Sequence, residues 1–266
     1  MQLKLYKALW GMPGTYASQL QQAKEEGYDG IEAPLPPVAD EAAFKGLLET
    51  YELDYIAQIV TAEEHIASFA EQVKRVTEFN PQLIVSHSAK DWMPEAETDR
   101  FFEAALKVEQ QYKLPIGHET HRARAMFSPW STARLLKKFP ELRITADFSH
   151  WCNVCESMLE DQEDTMRLAI KRATHVHGRV GHAEGPQVSH PAAPEYAYET
   201  SRFLTWWGQI AEAMAAAGNA SMSLTPEFGP PGYMPQLPFT KQAVAELNEV
   251  NQWIAEQVRS QFALWL

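Results

Sequence analysis

An α/β chain closed as a single (β/α)8 (TIM) barrel is what this sequence predicts, and three observations predict it. Short apolar runs alternate with segments of helical spacing, which is the pattern of a parallel sheet with crossover helices. Eight such units fit within 266 residues, close to the roughly 250 residues of one (β/α)8 barrel. No shift in composition and no linker divides the chain, so residues 1–266 read as one domain. The rival, an open doubly wound sheet, lacks its Gly-x-Gly-x-x-Gly turn after the first strand.

The elements follow in order from local signals. Leu3 to Trp10 reads as a strand, Gly11 to Gly14 as a turn, and Tyr16 to Glu26 as a helix stopped by Gly27. Tyr28 to Pro34 is a short strand ended by proline, and Asp40 is placed to cap a helix over 41–51. Asp54 to Val60 is the third strand, with Thr61 expected to cap a helix from Ala62 to Phe79. Leu83 to Ser88, Leu114 to Glu119 and Leu142 to Asp147 are strands four to six. Pro94 to Tyr112 is helical, Ser128-Pro129 opens the next helix with proline in its tolerated first turn, and a further helix runs from about Asp161 to Ala173. Thr174 to Val180 is strand seven, followed by a Gly-, Pro- and His-rich loop over 181–194 whose length marks it as functional. Glu195 to Ala217 is helical, Ser221 to Glu227 is strand eight, Gly229-Pro230-Pro231-Gly232 is a rigid turn, and a last helix is expected from Thr240 to about Phe262.

The totals exclude several classes. Apolar residues make up 45% of the chain, enough for a sizeable core. A formal charge of -12 argues against nucleic acid, whose affinity comes from Lys and Arg neutralising phosphates. No apolar run approaches the roughly 18 residues of a membrane span, and the first ten residues read as a strand rather than a signal peptide. Two cysteines are too few for a disulfide framework, so a cytoplasmic protein is expected.

Polar residues collect at the strand ends, where a barrel of this type carries its active site: Lys7, Trp10, Glu32, Gln58, His87, Glu119, Asp147, His175, His177, Arg179 and Glu227. Charges inside apolar runs need partners, because burying an unpaired ion is costly. Glu119, Asp147, His177 and Glu227 lie on four successive strands. Three carboxylates and one imidazole form a hard donor set suited to one octahedral Mn2+, Mg2+ or Co2+ in preference to Zn2+. The structural alternative is that each acid pairs with a nearby arginine such as Arg122, Arg124 or Arg179. His175 and His177 alternate by two and face one side of the strand, with His177 nearer the mouth and the better ligand. His150, three residues beyond Asp147, and Arg179 are expected substrate contacts, as are the strand-end Lys7 and His87. Cys152-x-x-Cys155 lacks a thioredoxin-like context and reads as two small buried residues. Trp92, Trp130, Trp151, Trp206 and Trp207 could wall a sugar pocket or fill the core.

Six motifs together carry a resemblance: Gly-Tyr-Asp-Gly-Ile-Glu (27–32), Ser-His-Ser-Ala-Lys-Asp (86–91), His-Glu-Thr-His-Arg (118–122), Asp-Phe-Ser-His-Trp (147–151), His-Val-His-Gly-Arg-Val-Gly (175–181) and Pro-Glu-Phe-Gly (226–229). In this order, over nearly the whole chain, they resemble the xylose-isomerase-like barrels, the sugar phosphate isomerase/epimerase superfamily that includes endonuclease-IV-type enzymes. The resemblance implies Glu119, Asp147, His177 and Glu227 as metal ligands, with Glu119 and Glu227 doubling as the acid–base pair. It implies His150 as a substrate contact; Arg179 is matched less closely, since the family's arginine sits farther along that loop. The expected activity is divalent-metal-dependent isomerisation or epimerisation of a ketose or related polyol by glutamate-mediated proton transfer through an enediolate. The alternatives are dehydration of a cyclic polyol, which needs the same acid–base pair, and phosphodiester hydrolysis. Against the last, Gln58 and Ala192 stand where that branch has histidines. The partner is therefore a small sugar, with no nucleic acid and no membrane, and the resemblance allows a homo-oligomer. Two prolines in Gly229-Pro230-Pro231-Gly232 remove N–H donors, which favours a free sugar over a phosphate ester.

Overall fold

The computed structural model describes residues 1–266. Its eight parallel strands are β1 (Gln2–Ala8), β2 (Gly30–Pro34), β3 (Asp54–Val60), β4 (Leu83–His87), β5 (Ile116–Glu119), β6 (Ile144–Ala146), β7 (Ala173–Gly178) and β8 (Ser221–Pro226). They pair in chain order, and β1 closes on β8 with Leu3 opposite Met222 and Leu5 opposite Leu224. The outer layer is α1 (Tyr16–Glu25), α2 (Glu41–Tyr51), α3 (His65–Val76), α4 (Glu95–Tyr112), α5 (Pro129–Lys138), α6 (Ser149–Cys155), α7 (Glu163–Ile170), α8 (Ala197–Ala216) and α9 (Leu247–Phe262). This is the (β/α)8 barrel that the alternation predicts. No helix is long and apolar enough to cross a membrane.

Local signals account for several helix starts. Thr15 and Ser18 form a reciprocal capping box on α1, and Ser128 caps α5 ahead of Pro129. Asp40 does not cap α2: it closes a 3-10 turn over Val38–Asp40, and its φ of -101° and ψ of -7° keep its carboxylate off the free N–H groups. Thr61 does not begin α3 either. Its hydroxyl bonds Ala89 N and His65 Nδ1, each at 2.8 Å, and so ties the ends of β3 and β4 together before the helix begins at His65. Two further departures concern whole segments. A helix of seven residues, α6, follows β6 where the sequence showed no helical spacing, because Ser149, His150, Trp151 and Cys152 are all buried. At the other end, α9 starts at Leu247 rather than Thr240, since the preceding chain turns back through a Gln236–Ala243 bridge with Phe239 and Lys241 at positive φ.

Two apolar assemblies hold the barrel. One cluster of 57 residues fills the layer between strands and helices. A separate cluster of four, Tyr6, Ile56, Leu83 and Val85, plugs the barrel interior near the strand N-termini. Strand alternation then sends the next inward residues, such as Glu32, His87, Glu119 and His177, toward the opposite mouth. The inward position beside the plug must be small. A Cβ on Gly30 would sit 2.3 Å from the Asp54 carbonyl oxygen and 2.6 Å from the Tyr6 ring. Gly30→Ala is therefore expected to destabilise the fold by about 1–3 kcal/mol through overpacking, read as a lower urea midpoint at unchanged m-value.

Candidate active site

Strand seven supplies the centre of the site. His175 and His177 both point inward and are fully buried, and Glu32 of β2, also fully buried, meets both. Glu32 Oε1 is 2.9 Å from His177 Nε2, and Oε2 is 3.2 Å from His175 Nε2 and accepts from Thr225 Oγ1 at 2.5 Å. Burial alone would raise this carboxyl, but the two imidazoles outweigh it and hold Glu32 at about 2. An ionised carboxylate only accepts hydrogen bonds, so His177 Nε2 carries a proton and Nδ1 is left facing the mouth.

His177 Nδ1 meets two more acids, Glu227 Oε2 at 2.9 Å and Glu119 Oε1 at 3.2 Å. Although burial opposes it, these three carboxylates hold His177 well above the usual histidine range. Without another cation the ring is therefore an imidazolium. Asp147 completes the cluster from the end of β6. Its backbone N–H is pinned by the Thr120 hydroxyl at 2.8 Å, and its Oδ1 accepts from Ser149 N at 3.0 Å. Complete burial and the charges of Glu227 and Glu119 push Asp147 up to about 6, against the pull of Arg179.

The ligand-type atoms of Glu119, Asp147, His177 and Glu227 lie within 4.8 Å of one another. The donor set fits a hard divalent cation by its chemistry. A second observation agrees: Glu119 Oε2 and Glu227 Oε2 are buried and receive no hydrogen bond of proper geometry. The carboxylate holding His177 from behind is the outer support that metal-bound imidazoles need. A second group of three, His87, Glu119 and His121, adjoins the first through Glu119. His87 Nε2 contacts Glu119 Oε2, and its charge, with those of His177 and His121, overcomes burial to keep Glu119 well below the usual carboxylate range.

Arginine pairing, the structural alternative, is realised for two of the acids. Arg179 is buried and donates from Nε to Asp147 Oδ2 at 3.1 Å and from Nη2 to Glu227 Oε1. Its Nη1 donates to Gln187 Oε1 at 2.9 Å, and Gln187 also bonds both N and O of Gly229. The loops after β7 and β8 are thereby locked onto the site. Arg179 therefore acts first as a counter-ion and brace. His150 is fully buried beside the cluster, 3.4 Å from Asp147 Oδ2, with neither ring nitrogen hydrogen-bonded.

Lys7 is corrected by the structure: it is not at the mouth. Tyr6 occupies the inward position, so its neighbour Lys7 faces the helix layer, with Nζ 2.5 Å from both Glu26 Oε2 and Asn248 Oδ1. Trp151, Trp206 and Trp207 are core, while Trp92 and Trp130 are exposed; the tryptophan beside the site is Trp10, its ring 6.2 Å from that of His177. Cys152 is buried and Cys155 half-buried, both as free thiols, and burial pushes the Cys152 thiol up, away from reactivity.

The sequence reading assigned no role in the site to three residues near the centre, although it placed Glu32 among the strand-end polar residues. Glu32 is a strand-end acid whose role needed its partners across the barrel. His121 lies two residues past Glu119 with its ring centroid 4.0 Å from that of His150 and tilted 47° to it, and burial takes it down to about 4. Tyr233, after the double-proline turn, reaches His121 Nε2 with its hydroxyl at 3.1 Å and packs its ring 4.2 Å from the Arg179 guanidinium. No local signal marks Tyr233.

Comparison with known proteins agrees with this architecture. No curated protein matches the sequence. Among solved structures, a D-tagatose 3-epimerase-like protein superposes with a TM-score of 0.67 at 12% identity, covering 100% of this chain and 98% of its own. The probable 3-DHS dehydratase AsbF from Bacillus anthracis, involved in petrobactin synthesis, gives 0.63 at 14% identity, covering 98% and 99%. A xylose isomerase-like TIM barrel protein from Mycobacterium smegmatis in complex with magnesium gives 0.63 at 11%, covering 97% of each chain. At these identities the likeness is one of fold. The family model described as xylose isomerase-like TIM barrel matches residues 20–185, more than half of the sequence. With its closed eight-stranded barrel and strand-end acids, this chain belongs to the xylose isomerase-like TIM barrel family.

Proposed function

We propose that this protein is a divalent-metal-dependent sugar isomerase or epimerase acting on a ketose or related polyol. The observation that carries the reading is the convergence of two buried glutamates, Glu119 and Glu227, on the same imidazole nitrogen beside Asp147. Proton abstraction next to a carbonyl needs a base, an acid for return, and positive charge near the oxygens. Glu119, Asp147, His177 and Glu227 would hold the ion, which when bound would supply that positive charge to substrate oxygens. Mn2+, Mg2+ or Co2+ suits the three carboxylates better than Zn2+. The likeness to a D-tagatose 3-epimerase-like protein supports this choice of reaction class.

The residues divide the remaining work. Glu119, held ionised by its histidines, is ready to accept a carbon-bound proton. His87 contacts Glu119 and keeps 15% of its side chain exposed, against 1% for Glu119, so it links that carboxylate to solvent protons. Glu227 returns or removes the proton at a second position, with Arg179 fixing its other oxygen. All four ligand residues are at most 6% exposed, which keeps bulk water from the proton-transfer step. A metal-dependent dehydratase of a cyclic polyol is the second reading. It uses the same base and acid, and a structure named as a probable 3-DHS dehydratase shares the fold. Gln58, not a histidine, lies 3.3 Å from His87, which weakens the phosphodiester-hydrolysis reading.

Elemental analysis of protein purified without chelators should find about one divalent ion per chain, lost in Glu119→Gln and Asp147→Asn. The absence of any ion in wild type, with no thermal shift on adding Mn2+, would remove the reading. Binding must displace a proton from His177 and meet an ionised Asp147, whose carboxyl stands at about 6. Mn2+ affinity should therefore rise with pH and fall steeply below about pH 6, checked by calorimetry across that range.

On a ketose shown to be turned over, Glu119→Gln and Glu227→Gln should each lower kcat by about 10²–10⁴. Full turnover in both would exclude glutamate-mediated transfer. His87→Asn removes the charge that most depresses Glu119, so the Glu119 carboxyl rises and the acidic limb of the kcat/KM profile should move to higher pH.

A further inference from the structure

We propose that the substrate carries an anionic group, a carboxylate or a phosphate, held by Arg122 beside the acid cluster. This rests on the small-molecule reading above and names the substrate class for the same site. Arg124, Arg143, Arg202 and Arg259 also lack an acidic partner but donate to backbone carbonyls. An arginine beside the acid cluster that meets neither an acid nor a carbonyl is what stands out. Arg122 is such a residue. It is half-buried three positions beyond Glu119, forms no ion pair, and uses one of its five N–H donors in a contact of 3.5 Å with Asn153 Oδ1. Arg179, by contrast, has its charge met by Asp147 and Glu227.

The surroundings of Arg122 point to a ligand. Its guanidinium lies 5.0 Å from the Tyr233 ring centroid, and that of Arg179 lies 4.2 Å from the same centroid. Two like charges share one aromatic ring, and one of them has no acid to meet it. His150 stands beside them, its ring 6.0 Å from Tyr233 and fully buried, with both nitrogens unpartnered. An imidazole always carries at least one N–H, and here no partner takes it up. An anion between Arg122 and His150 would satisfy both. A neutral polyol would leave the arginine's charge unmet. Arginine suits either oxyanion, because its planar fork matches both carboxylate and phosphate.

Three hydroxy-ketones that differ in one substituent test this: dihydroxyacetone, hydroxypyruvate and dihydroxyacetone phosphate. Calorimetry on Mn2+-loaded wild type should show at least one anionic member binding about tenfold or more tighter than dihydroxyacetone. Arg122→Gln should abolish the preference and change the affinity for dihydroxyacetone less than about twofold, while Arg122→Lys keeps part of it. The anion that loses most in Arg122→Gln identifies carboxylate or phosphate. Equal affinities in wild type, or a preference that survives in Arg122→Gln, overturn the proposal. A second titration, of metal-free protein with acetate and inorganic phosphate followed by amide chemical shifts, separates the two readings. Saturable anion binding that needs Arg122, with no binding of dihydroxyacetone to the metal-loaded protein, upholds the anion site and removes the hydroxy-ketone reading. Binding of dihydroxyacetone without any Arg122-dependent anion binding does the reverse.

Discussion

The rest of the structure depends on charge confined within a closed barrel. Glu32, Glu119, Asp147 and Glu227 are all buried at one mouth, and the only buried residue there of permanent positive charge is Arg179. Unpaired, such a cluster would disrupt the fold, since removing a carboxylate from water costs several kcal/mol. Each acid is instead tied to a named partner: Glu32 to two histidines, Asp147 to Ser149 and Arg179, Glu227 to Arg179 and His177, and Glu119 to His177 and His87. These contacts still leave Glu119 Oε2 and Glu227 Oε2 without a hydrogen bond of proper geometry, and those lone pairs are what a divalent ion would take up.

The barrel divides this polar mouth from an apolar floor. Tyr6, Ile56, Leu83 and Val85 seal the interior near the strand N-termini, so the charged half has a solid base and opens in one direction. Loops close that opening. Gln187, from the loop after β7, grips both Arg179 and Gly229, and Tyr233, from the loop after β8, reaches across to His121. The strands therefore fix the acid cluster, while the loops cover its opening. This division follows from rigidity, because strand-borne groups are held by sheet hydrogen bonds and loop-borne groups are free to differ between relatives.

The same division explains why family membership stops short of a substrate. The fold is shared with structures named as a D-tagatose 3-epimerase-like protein and as a probable 3-DHS dehydratase, so the fold alone does not choose a reaction. Discrimination must come from residues outside the acid cluster, and Arg122, His121 and Tyr233 all come from loops. Arg122 is informative for this reason: its guanidinium packs on Tyr233 and contacts Asn153 but meets no acid of the protein.

The sequence by itself determined the alternation of strand and helix, the order of the barrel, and the positions where strands end in Glu119, Asp147, His177 and Glu227. Those features are local: period-two and period-3.6 patterns, prolines and glycines are written into a few neighbouring residues. Tertiary structure alone decided which face each strand shows and what each ion meets. Lys7 turned outward because Tyr6 took the interior, Arg179 became a counter-ion because β6 and β8 flank it, and Glu32 joined the site because closure set β2 opposite β7. Tyr233 and His121 are 112 residues apart, and α6 is held by the burial of its own first turn rather than by any helical pattern. Such pairings depend on register and closure, which are properties of the whole barrel and have no counterpart in any short stretch of chain.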